Sequence, residues 1–197
     1  MELFSYIGLH TAYLLIFSIA LGLGLGASVL SHILFLFSTD DGKISYDEFK
    51  LLKISRVVVW IAILLYGFGG LGLFTLAYES MVELGIFYAS ITVAMILIGN
   101  EIAFVLRHLP RVRDIRKGSI ALDAFVLESG VVSAVSWIFL MLHHVIYRTD
   151  IGYFAFMALY AVAIAVGMLT TWFVRRKSVR SHDAMILKRS VLAALFF

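Results

Sequence analysis

The sequence contains no cysteine among its 197 residues. That excludes a disulfide, a thiolate metal site and a cysteine nucleophile, and it removes the usual clue to redox compartment. Charge is scarce as well: 15% of residues are charged, where soluble domains carry about 25%. The hydrophobic share is 62%, against roughly 45–50% in soluble domains. A chain of this length and composition forms one compact helical bundle in a membrane, with no room for a separate soluble catalytic domain.

What charge there is, is grouped. Of the 16 Lys and Arg residues, all but Arg148 fall in residues 43–56, 107–117 and 175–189, between very apolar stretches. Cations beside membrane spans are retained on the cytoplasmic side. The grouping therefore gives a multi-pass protein of the inner (plasma) membrane with its N-terminus outside. The net charge of +3 comes from these anchors, which also attract anionic lipid headgroups at about 1 kcal/mol each. Nucleic-acid binding is not needed to explain it.

A span needs about 20 apolar residues to cross roughly 30 Å of hydrocarbon. Five stretches qualify: residues 3–37, 57–78, 84–106, 119–142 and 151–174. The first is too long for a signal-peptide core. The expected fold is all-α, a single membrane domain of five transmembrane helices over residues 1–197. Residues 181–197 are expected to form a C-terminal interfacial helix, or a short sixth one. An odd number of spans argues against duplication of the whole chain.

Two motifs have plain readings. Residues 38–49 imitate the second half of an EF-hand, but its first position would be Phe37 and its third Thr39, so two oxygen ligands are lost. Ser45 and Glu48 instead form a capping box that starts the second helix. Gly22 and Gly26 stand four apart, the spacing that lets helices approach closely in lipid, and the glycines at 67, 69, 70 and 72 read the same way.

Ionisable residues inside spans are costly and so mark candidate sites. His10 and His32 lie 22 residues apart on the first span, hence on one face at opposite depths. On span four, Ser129, Ser136 and His143 recur every seven residues, with His144 adjacent. His10 and one of His143 or His144 arrive at similar depth near the outer face. Two imidazoles on opposite sides of an iron are what axial ligation of haem b requires. His32 and His108 form a weaker candidate pair at the inner end. Zinc or copper could use the outer three imidazoles, although adjacent histidines on a helix diverge by about 100°. Glu101 and Glu128 form a second constellation in the inner half, suited to a proton relay or cation site. Alternatively each is neutral, or is paired with Asn100, Ser129 or Arg107 to fix helix register.

The stretches Tyr6-Ile-Gly-Leu-His10, Gly99-Asn-Glu101, Leu106-Arg-His-Leu-Pro110 and Ser133-Ala-Val-Ser-Trp137 resemble small bacterial membrane proteins of the HemJ-type protoporphyrinogen oxidase and CopD-like group. The resemblance implies a haem-linked histidine at His10, with His32 roughly where a second one stands. Three functions follow. One is a membrane b-type haem protein in electron transfer or a small redox reaction, with a partner such as quinone. Another is a proton or metal-cation transporter using Asn100, Glu101, Glu128 and His32. The third is an adaptor or homo-oligomer whose small-residue faces bind partner helices in the bilayer.

Overall fold

A computed structural model of the protein describes residues 2–38, 46–82, 85–108, 124–146 and 151–196. Every element in them is helical: α1 (Glu2–Ser38), α2 (Tyr46–Val82), α3 (Gly85–Ala103), α4 (Ala124–Ile146) and α5 (Tyr153–Phe196). α3 passes directly into a single π-helical turn, Phe104–His108. Five windows are long and apolar enough to cross a membrane: Ile7–Leu34, Phe49–Leu76, Gly85–Arg107, Glu128–Ile146 and Tyr153–Phe173. These mark a multi-pass membrane protein. Helices are what such sequences must form, because hydrocarbon offers backbone N–H and C=O groups no partner outside their own segment.

The apolar surface agrees. Phe154 is 84% exposed, and Leu64 and Val145 are each 70% exposed, a pattern that would drive association in water but costs nothing against lipid. α1 packs most extensively on α2 and then on α4, α3 lies on α4, and α5 lies against α4 and α3. Phe17, Leu21, Trp137, Leu140, Val93 and Phe156 fill the centre.

Glycine makes the closest approaches. A Cβ on Gly24 would fall 2.3 Å from the Trp137 ring, and one on Gly72 would fall 2.3 Å from the Tyr13 ring. Trp137 is fully buried, so its ring cannot swing aside. The expected packing pair, Gly22 and Gly26, is exposed, with nothing of this chain within 4 Å of either. The physical reason is rotation: residues two apart on a helix diverge by about 200°, so Gly24 faces α4 while its neighbours face outward. In α2 the expectation holds at Gly69, Gly70 and Gly72, which meet Phe17 or Tyr13, but not at Gly67.

Two boundaries differ from expectation. α2 begins at Tyr46, just after the anticipated cap at Ser45, and its apolar window begins at Phe49 rather than at 57. Ser45 and the EF-hand-like residues 39–45 lie outside the described residues. α5 runs unbroken through Phe196, so residues 181–196 prolong the fifth helix instead of forming a separate one. No Gly or Pro interrupts that stretch, leaving nothing to end the helix there.

Gly24→Ala is expected to lower stability in detergent by about 1–3 kcal/mol through overpacking. Gly22→Ala should be neutral or stabilising by up to about 1 kcal/mol, since Ala is the better helix former. Thermal unfolding of the two variants checks the contrast, and equal effects would refute the facing assignment.

Candidate functional site: a buried ion pair and its polar surround

Hydroxyls inside the spans divide into two kinds. Thr11, Ser18 and Thr170 are exposed, and each donates to the carbonyl four residues earlier in its own helix, at 2.8 Å. A lipid-facing hydroxyl satisfied in this way needs no neighbour. Several buried hydroxyls reach across helices, while buried Ser90 bonds within its own. Ser28 on α1 bonds Ser133 on α4 at 2.8 Å, Ser31 on α1 bonds Ser55 on α2, and Ser136 on α4 bonds the Tyr160 hydroxyl on α5 at 2.8 Å. Ser28, Ser133 and Ser136 are all essentially inaccessible. Together they make a polar seam through an otherwise apolar interior.

At the end of the bundle where α1 gives way to α2, the seam meets a salt bridge. Arg56 Nη1 donates to both Glu101 carboxylate oxygens at 2.9 Å. The side chains are 6% and 0% exposed. The Arg56 guanidinium carbon also sits 3.7 Å from the centroid of the Phe104 ring, a cation–π contact strengthened by exclusion of water. Phe104 is the first residue of the π turn. Such turns carry one residue more than an α turn and recur at functional positions. Seven residues separate Arg56 from the start of its apolar window and six separate Glu101 from the end of its own. At 1.5 Å per residue each lies about 10 Å along its helix from that window end.

The surrounding groups are polar and incompletely matched. Asn100 Nδ2 donates to the Ser129 carbonyl at 3.0 Å, tying α3 to α4. His32 on α1 lies against Gly130 on α4, where a Cβ would fall 2.6 Å from its Nδ1. His32 Nδ1, Arg56 Nε and Ser129 Oγ are all buried without a hydrogen-bond partner among the described residues. These contacts link four helices pairwise: α2 to α3 through the ion pair, α3 to α4 through Asn100, and α4 to α1 through His32.

Asn100 and Glu101 are consecutive on α3, and the contact that Asn100 makes is to the Ser129 carbonyl on α4. Both Glu101 oxygens accept from Arg56, and Glu128 is half-buried. Arg56 is the residue that sequence reasoning missed, by counting it among the topological anchors. A rotational signal was available. Lys50, Lys53 and Arg56 are three apart, so the series drifts by about 120° around α2. The two lysines are exposed and the arginine is buried.

The histidines at the other end are arranged differently from a ligand pair. The His144 ring lies 5.5 Å from Phe17, while His10, half-buried, is seven residues away along α1, about 10 Å. His143 is half-buried, with its Nδ1 unpartnered. Between α1 and α4 lie Phe17 and Trp137, the latter pressed on bare Gly24 backbone. Packed this way, these residues do not fit a haem lying between the two helices. The side chain of His108 lies outside the described residues. Among the described residues no three His, Asp or Glu side chains cluster as a metal site.

Comparison with known protein families, with curated protein sequences and with solved structures returned no match. The chemistry has to be read from this chain's own groups.

Two measurements test this description. Arg56→Met or Glu101→Leu alone should cost about 3–5 kcal/mol of stability in detergent, because each strands a buried charge. The double variant should recover much of that loss, a coupling of about 2 kcal/mol or more, and strictly additive losses would show the pair is not coupled. The purified protein, reduced with dithionite, is expected to show no Soret, α or β bands. A band that disappears in His10→Ala would reinstate the haem reading.

Proposed function

We propose that the protein is a proton-coupled membrane transporter whose working centre is the Arg56–Glu101 pair, with the basic end of the bundle in the cytoplasm. The reading rests on one observation: a carboxylate and a guanidinium, 0% and 6% exposed and both on helices apolar enough to span a membrane, neutralise each other across two helices. A charge in hydrocarbon is retained only at a cost of several kcal/mol. An ion pair of this kind is also weak evidence for stability alone, since an apolar pair often serves as well.

The pair has the properties of a latch. With Glu101 ionised, Arg56 binds it and holds α2 against α3. A proton arriving on the Glu101 carboxylate removes its charge and weakens the hold, leaving a guanidinium that must find another acceptor. Asn100, Ser129 and His32 offer hydrogen bonds to the groups released. The hydroxyl seam through Ser28, Ser133, Ser136 and Tyr160 provides polar stepping points toward the opposite end. Each step along α4 is about one turn, or 5–6 Å between Cβ atoms. That exceeds a hydrogen bond, so conduction requires water to bridge the steps and is gated.

The test is proton flux into proteoliposomes loaded with a pH-sensitive dye, driven by an inwardly directed pH gradient. Wild-type vesicles should acidify at least tenfold faster than empty ones. Glu101→Gln should abolish the difference and Glu101→Asp should retain part of it, with size-exclusion profiles showing both variants folded. Wild-type vesicles no leakier than lipid alone would overturn the reading.

A further inference from the structure

The inventory of donors and acceptors around Glu101 is lopsided. Arg56 brings five N–H donors, of which Nη1 serves Glu101 and Nε serves nothing described. The Ser129 hydroxyl, whose backbone carbonyl accepts from Asn100, and His32 Nδ1, which lies against the adjacent Gly130, are also buried without partners among the described residues. Arg56 and Ser129 are each at least nine-tenths buried. Against these stands a single anionic acceptor, the Glu101 carboxylate. The charged and titratable groups around it are Arg56 on α2, His32 on α1 and, one residue before Ser129 on α4, Glu128.

Protonating Glu101 removes that acceptor. The O–H bond formed on the carboxyl uses the arriving proton, and the guanidinium keeps its own charge and its donors. A cation cannot occupy the vacated place, because it would face Arg56 at contact distance with one neutral carboxyl for compensation. An anion can. The place is already shaped for one: two oxygens lie 2.9 Å from Arg56 Nη1. The Phe104 ring covers one guanidinium face at 3.7 Å, directing a ligand to the N–H edge. The His32 imidazole packs directly on the bare Gly130 backbone, where a Cβ would fall 2.6 Å from its Nδ1.

We infer that the protonated site takes a small monovalent anion in the seat of the Glu101 carboxylate, so that the protein moves a proton and an anion together. The inference rests on the proton-coupled reading and names its cargo. The bookkeeping closes: one proton binds Glu101, one anion binds Arg56, and the loaded centre has the same net charge as the empty ion pair. On the far side the anion leaves, the carboxyl loses its proton, and the pair re-forms. A halide and a small monocarboxylate share the required chemistry.

Proteoliposomes carrying both a pH dye and a chloride-sensitive dye separate the cases, with radiolabelled lactate as the carboxylate arm and gluconate as the large-anion control. Wild-type proton uptake should rise at least fivefold with an inward gradient of chloride or of lactate over gluconate, and whichever anion stimulates it identifies the cargo class. Arg56→Gln should lose both fluxes. Glu101→Gln, which fixes the neutral state, should pass the anion while no longer moving protons; that signature is not produced by a merely misfolded protein. Proton flux that is equal with all three anions, and lost in Glu101→Gln, would overturn the anion inference and leave the proton reading standing. Absence of proton flux from the wild type would remove both.

Discussion

One salt bridge in a medium of low dielectric governs the interior of this protein. Arg56 and Glu101 could not be buried singly, and as a pair they impose conditions on everything beside them. α2 and α3 must keep a fixed register for Nη1 to hold both oxygens at 2.9 Å. Phe104 must lie flat under the guanidinium, which engages the turn that follows Glu101. α4 must present Ser129 to Asn100, and α1 must bring His32 against Gly130. The polar groups are therefore not distributed through the bundle. They are collected where one compensated charge makes the local environment tolerable for others.

The rest of the molecule is solved by simpler means. Exposed Thr11, Ser18 and Thr170 turn back to their own helices, whereas buried Ser28, Ser31 and Ser136 connect neighbouring helices. Between α1 and α4 the contact is a tryptophan laid on a glycine, a dispersion contact that needs no polar group at all. The ion pair lies toward the end where α1 gives way to α2, while the hydroxyls continue to Ser136 and Tyr160 at the level of Trp137.

How far the sequence carried the structure depended on the length of the signal. Five spans were legible because each is a run of some 20 apolar residues, and no neighbour can overrule so long a run. Glu101 and Asn100 were legible as polar residues inside a span because depth follows from counting residues along helices of known rise. Arg56 was not, because near a span a basic residue reads as an anchor, and only the angular drift from Lys50 through Lys53 turns it inward. Counting depth does not say what a carboxylate meets, so Arg56 as the partner of Glu101 lay beyond it. The glycines show the same limit, since spacing identified a small-residue motif and rotation assigned the contact to Gly24 in its middle.

The π turn at the end of α3 gives the ion pair an unusual neighbour. Such a turn holds one residue more than an α turn, so the side chains on either side of it are rotated out of the register a continuous α-helix would give them. Phe104 is its first residue, and its ring is the face on which the Arg56 guanidinium rests. The change of pitch thus falls directly beneath the buried charge.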